Sequence, residues 1–433
     1  MLLVCTHKIT PRLTYVFKHI VKRILGIPVE FTTTIEAFIA HNGLKLSYTK
    51  QPLSNELFIR SNELLFEVGF SDVEINVQKW DDTVGFFVTS ERSHLPYDIF
   101  AASFYLISRY EEYLPHVKDD YGRYSATESL AFKNNFLNQP VVDIWAYKFK
   151  SILHVRFPEF EFPSQTFKVI PLIDVPMAYL FKNKGMIRTI GGVLNDVYKL
   201  NFKQLSRRIM VMLKIKRDNY DTFDTLKELQ KQTEISFLFL FLIGKFSSYD
   251  KNISINKSEF RSLIKSVGDY SRIGLKFSFA SIDHLEIMKE EKNKFNMVTN
   301  RKTNVSRNSY SKVNLPQAYR NLLELDIEED YTMGYVNYLG FRAGTCTPFY
   351  FYDLDYEIET PLKIYGYHCN DYALLKHKSL LDKTETLNKL ITSIKNVNGT
   401  FISVFHNYTF SDDLRWDGFE SLFKIILNTN NHA

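Results

Sequence analysis

The chain has 433 residues, 54 of them basic and 49 acidic, for a formal charge of +5, with 45% hydrophobic and 24% charged residues. These proportions are ordinary for folded globular domains and exclude extensive disorder, while the length allows two domains with full-sized cores. The aromatic share is 15%, with 36 Phe and 26 Tyr, most of which read as core.

The first 150 residues are mixed in pattern. A helical start at 12–25 precedes strand-like pieces at 56–60 and 84–88. Residues 97–113 place Ile99, Phe100, Phe104 and Ile107 at helical spacing, and 143–153 repeat the pattern with Trp145, Phe149 and Ile152. Arg109, Glu111 and Glu112 read as an internal ion-pair network that fixes one helix against the next. Pro158 and Pro163 bracket a linker at 156–165, so an N-terminal α+β domain is expected over 1–165 and a second domain over 166–433.

Beyond the linker, strands and helices alternate. Strands are expected at 167–173, 235–243, 273–278 and 400–405, and helices at 221–231, 257–267, 284–292, 316–325, 384–394 and 416–427. The strands are apolar on both faces, which predicts a parallel sheet wrapped by helices. The run at 235–243 is too short to span a bilayer. Basic clusters at 182–188 and 203–217 suit a solvated helix face or a mild anion-attracting patch; with no aromatic ladder between them, nucleic acid is excluded as a partner.

Cys5, Cys346 and Cys369 form no paired framework and read as free thiols of a reducing compartment. The opening apolar run of five residues is short for a signal peptide, so a cytoplasmic location is expected. Asp174, Lys276 and His406 lie at or near the ends of three predicted strands, which predicts that they converge on one mouth. His284, and His368 beside Cys369 and Asp371, read as surface or packing residues.

Four strips carry a resemblance: Ile173-Asp174-Val175-Pro176, Gly274-Leu275-Lys276-Phe277-Ser278, Ser306-Arg307-Asn308-Ser309 and Phe341-Arg342-Ala343-Gly344-Thr345-Cys346. With 330–354 and the late Phe405-His406-Asn407, they resemble the polysaccharide deacetylases of carbohydrate esterase family 4, in the bacterial form with an extra N-terminal domain. The resemblance implies a distorted, partly open (β/α) barrel preceded by a smaller α+β domain. It also implies hydrolysis of C–N bonds of N-acetyl sugars in surface-polysaccharide metabolism, with an N-acetylated glycan as partner and a divalent metal such as zinc. Relatives typically read Thr-His-Asp-x-Asp, Gly-x-His-Pro-Ser and Ser-Arg-x-His, whereas this chain has Pro176, Lys276 and Ser309 at three of the chemical positions.

Too few ligands remain for zinc, which needs at least three protein donors, so no metal ligand and no cofactor are expected, and little or no turnover. By the resemblance, Asp174, His406 and Arg342 keep the catalytic positions, while Lys276, Ser278 and Ser309 bind substrate or compensate charge. Lys276 or Arg342 is expected to pair with Asp174. Two other outcomes stay open: an active hydrolase with an unusual ligand set, and a non-catalytic module that binds glycan or protein.

Overall fold

A computed structural model describes residues 1–429. Four short strands open the chain: β1 (Leu2–Cys5), β2 (Val29–Thr32), β3 (Leu44–Thr49) and β4 (Phe58–Arg60), all parallel, in the order β2-β1-β3-β4. Between β1 and β2, the Thr10 hydroxyl accepts the Leu13 N–H at 3.1 Å and Pro11 takes the first helical position, where no N–H is needed. That helix, Pro11–Phe17, runs on as wider π-helical turns over Lys18–Ile24.

A hairpin follows, β5 (Gln78–Trp80) with β6 (Thr83–Gly85). Two helices, Ile99–Ile107 and Val141–Arg156, then pack on each other and on the helix that runs from Pro11 to Ile24. Asp98 starts the first of them by accepting the Phe100 and Ala101 N–H groups at 3.0 and 3.1 Å. Its other oxygen accepts the Tyr48 hydroxyl at 2.5 Å, which ties the helix to β3.

After a stretch without helix or strand, nine strands build the second sheet: β7 (Lys168–Val175), β8 (Leu238–Leu242), β9 (Arg272–Phe277), β10 (Val305–Asn308), β11 (Glu329–Asp330), β12 (Phe349–Asp353), β13 (Ile358–Ile364), β14 (Cys369–Asn370) and β15 (Thr400–His406). Their order is β12-β13-β11-β10-β9-β8-β7-β15-β14, and every pair is parallel except β12 with β13. β7 pairs with β8 and β15 and with no strand of the first sheet.

The protein is therefore mixed α/β with parallel sheets. The sheet, expected as a distorted, partly open barrel, is not closed: among the described residues no ladder joins the edges β12 and β14. β14 has two residues and β12 runs antiparallel, so neither edge offers the long parallel partner that closure needs. In the second half, the strands β10 to β14 and the helices Met186–Tyr198 and Phe202–Met212 were not among the expected elements.

The two halves share one apolar core, and buried charge crosses between them. Arg12 donates to Glu357 through Nε at 2.9 Å and to the Leu64 carbonyl through Nη1 at 2.9 Å. Arg342 grips Glu112 with two parallel bonds of 2.9 and 2.7 Å, and Arg109 donates to the same carboxylate at 2.8 Å. Burial works to raise the Glu112 pKa, but Arg342 and Arg109 outweigh it and hold the carboxyl at about 2.

Glu112→Ala leaves two buried guanidinium groups without that partner. It should destabilise the fold by about 3–5 kcal/mol in urea unfolding. A loss below about 1 kcal/mol would mean that the cluster is locally solvated and holds nothing together.

Candidate functional site

The site is assembled by strand register. His406 lies opposite Asp174 in the β15–β7 ladder, and Arg307 opposite Lys276 in the β10–β9 ladder, all near the C-terminal ends of their strands. Asp174 Oδ2 accepts from Lys276 Nζ at 2.6 Å and from Arg307 Nε at 3.1 Å. His406 Nε2 stands 3.8 Å from the same oxygen. Asp174, Lys276 and Arg307 are all buried.

Burial works against the Asp174 charge, but Lys276, His406 and Arg307 outweigh it and hold the carboxyl at about 2. Burial pulls the Lys276 ammonium below its usual value while Asp174 pulls it back. The arrangement is an ionised pair, since the carboxylate answers to two cations at once. Its other oxygen, Oδ1, is buried without a hydrogen-bond partner among the described residues.

Each member is held from behind. Arg307 also donates to the Tyr331 carbonyl at 2.5 Å and to Ser311 Oγ at 2.9 Å. Ser311 and Tyr310 are consecutive non-glycine residues at positive φ, 55° and 59°, a conformation that costs about 1–2 kcal/mol each. That turn sends Ser311 inward to Arg307 while Tyr310 lines the cavity. His406 Nδ1 faces Asp371 at 2.9 Å, and the His406 backbone N–H donates to Asp371 at 2.8 Å, which fixes the ring.

A cavity of about 440 Å³ opens over this cluster. Tyrosines form much of its wall. Tyr310 stacks on Tyr121 with ring centres 5.0 Å apart, Tyr249 on Phe279 at 4.2 Å, and Tyr408 on His406 at 4.9 Å. Tyr372 and Tyr408 share a hydroxyl bond of 2.8 Å. Tyr121 and Arg123 reach the cavity from the N-terminal half, and Arg123 donates to the Tyr310 carbonyl at 2.8 Å. Asp250 borders it, with Oδ1 3.4 Å from Ser309 Oγ, and burial raises its pKa.

Asp174, Lys276 and His406 thus meet in one cavity, as strand-end positions predict, and Ser309 lines it too. Two expected members lie elsewhere. Arg342 bonds Glu112 rather than Asp174, because its loop runs back against the turn Tyr110–Glu112, whose carboxylate accepts both of its parallel N–H groups. Ser278 is turned toward helix Leu285–Thr299, where its hydroxyl and N–H donate to Glu291 at 2.6 and 3.0 Å.

Arg307 takes the role expected of Arg342. It lies in the strip Ser306-Arg307-Asn308-Ser309, where the family motif marks position 309 as the ligand. Asp371 was seen only beside His368 and Cys369. His368 is buried, accepts the Ile402 N–H at 3.3 Å and has its pKa pushed down to about 3 by burial, so it is a neutral packing group. Nothing in the sequence singled out Asp250 or Tyr249.

The donor set does not suit a divalent metal. No group of three His, Cys, Asp or Glu residues could hold one among the described residues. More directly, an ion bound to Asp174 would sit beside an ammonium and a guanidinium. At 4 Å in a medium of effective dielectric 20, a doubly charged ion and one such cation repel by roughly 8 kcal/mol.

Residues 2–158 match the model of a family of unknown function, DUF7033. The search of curated proteins finds no match. Among solved structures, one described as a "putative polysaccharide deacetylase" from Mycobacterium smegmatis aligns over 62% of this chain and 86% of its own, at 10% identity and a TM-score of 0.39. A likeness that loose carries no argument about function. The fold supports a mixed α/β class, and the family match covers only the N-terminal part.

The charge balance predicts an order of stabilities. Asp174→Ala leaves two buried cations and should cost about 3–5 kcal/mol in urea unfolding, more than Lys276→Met, which leaves Asp174 paired with Arg307. The Asp174 pKa is lowered on folding, so its contribution is present above pH 4 and is lost as pH falls toward 2. Equal losses for the two variants, or a parent whose acid unfolding is unchanged in Asp174→Asn, would contradict this balance.

Proposed function

We propose that the cavity binds an N-acetylated carbohydrate and that Lys276, with Arg307, has taken over the charge-balancing role of a metal at Asp174. Binding is then independent of divalent ions, and hydrolysis of the acetamide stays near background. One observation carries this reading: Lys276 Nζ lies 2.6 Å from Asp174 Oδ2, on the carboxylate that the motif resemblance assigns to the catalytic centre.

The walls support a sugar ligand. The volume falls in the range of small-molecule sites, about 300–1,000 Å³. Aromatic faces suit the apolar faces of sugar rings. Lys276 could donate to a carbonyl, but a hydrated, flexible ammonium is a weak substitute for a Lewis acid.

A second reading has its own support. His406 is oriented by Asp371 with Nε2 near Asp174, which is the geometry of an oriented acid or base. If that group works alone, slow metal-free hydrolysis would follow, and chelator would not affect it.

Calorimetry with N-acetylglucosamine oligomers, with and without chelator, tests the proposal beside acetate release. Equal binding in both conditions with background acetate is expected. Tyr310→Ala should weaken binding by about tenfold, the scale of a lost contact of roughly 1.4 kcal/mol. The triple reversion Pro176→Asp, Lys276→His and Ser309→His should gain zinc that the parent lacks. A parent that binds one zinc tightly and releases acetate would overturn the reading.

A further inference from the structure

The chain between β7 and β8 makes an excursion that departs from the usual pattern of a water-facing helix pair. Asp218 closes its base, accepting the N–H groups of Leu180 and Phe181 at 2.7 Å and of Lys182 at 2.9 Å. Beyond that clamp, helices Met186–Tyr198 and Phe202–Met212 pack on each other. They meet closely at Gly192, where a Cβ would strike the Arg208 guanidinium.

An ion pair lies buried at these helices. Arg208 Nε donates to Asp196 at 2.7 Å, and both residues are buried. The apolar stripe points outward instead. Ile187, Ile190, Leu194 and Val197 recur at helical spacing and are exposed, Ile187 at 89% and Leu194 at 63%. Phe202, Ile209 and Met212 continue an exposed apolar face on the second helix, and Leu213 and Ile215 extend it past the end. A helix pair in water normally buries its apolar stripe, so an outward stripe over a buried ion pair calls for a covering surface.

Charge indicates which surface. Residues 182–217 include ten Lys or Arg and one acidic residue, Asp196, whereas the rest of the chain is net acidic. A second copy would bring the same positive charge against this one. An anionic bilayer surface complements both properties, taking the apolar stripe at its acyl boundary and the basic side chains at its headgroups. No helix among the described residues is long and apolar enough to cross a membrane, so the contact is one of lying on the surface.

We propose that the helical excursion of residues 182–217 binds anionic lipid surfaces. It sits beside the candidate cavity: Arg188 donates to the carbonyls of Lys251 and Asn252 at 2.7 and 3.0 Å, and Lys251 lines the cavity. Lipid binding therefore brings the cavity mouth close to the membrane plane. This inference does not depend on what the cavity holds.

The test is flotation of the full chain with vesicles of phosphatidylcholine alone or with phosphatidylglycerol added, at low and high salt. The parent should float with the anionic vesicles, weakly with the neutral ones, and less as salt rises. Ile187→Asp with Leu194→Asp, and separately Lys203→Glu with Lys214→Glu and Lys216→Glu, should each cut the bound fraction by at least about tenfold. Should the apolar variant fail to fold by circular dichroism, the charge variant, confined to exposed lysines, decides. A parent that stays unbound, or floats equally with both variants, overturns the proposal. So does a concentration-dependent dimer without vesicle binding, since it assigns the face to a second copy.

Discussion

One carboxylate oxygen, Asp174 Oδ2, accepts from an ammonium and a guanidinium inside the protein, and the site is built around that fact. Strands β9 and β10 on one side and β15 on the other deliver the two cations and His406 to the same point. An unpaired carboxylate there would cost several kcal/mol in a buried setting. Lys276 and Arg307 remove that cost, and the same positive charge repels any further cation. Stability and the disfavouring of a metal thus have one origin. The tyrosine walls are what the site can still offer a ligand.

The N-terminal half is part of this arrangement rather than an appendage. Tyr121 and Arg123 complete the cavity wall, and Arg123 braces the strained turn that carries Tyr310. Farther from the mouth, Glu112 joins Arg109 to Arg342, and Arg12 meets Glu357. These buried contacts link the turns of one sheet to the loops of the other. Local unfolding of the first half should therefore disturb the cavity even though no residue of β1–β4 lines it.

Strands β7, β8, β9 and β15 were legible in the sequence, because a parallel strand buried on both faces leaves an apolar run that little else explains. The meeting of Asp174, Lys276 and His406 was legible for a related reason, as strand ends in register share one edge. Arg342 was not, since its partner Glu112 lies 230 residues away and neither sequence context marks the other. Ser278 looked exposed to substrate because nothing before the fold shows that Glu291, on the next helix, accepts from it. The pair of helices at 186–212 was hidden by expectation: their apolar periodicity points away from the core that periodicity is usually taken to locate. The two edges of the sheet were not legible, because β14 is too short to be seen and β12 turns antiparallel.

The central claim is that Lys276 occupies the charge position that a divalent ion would need. Crystals of the parent protein grown with zinc, with diffraction recorded at the zinc absorption edge, test it most directly. The account predicts no anomalous peak at Asp174 and a Lys276 Nζ that stays in hydrogen-bond contact with its carboxylate. A zinc peak on Asp174 and His406, with the Lys276 side chain swung away, would contradict it.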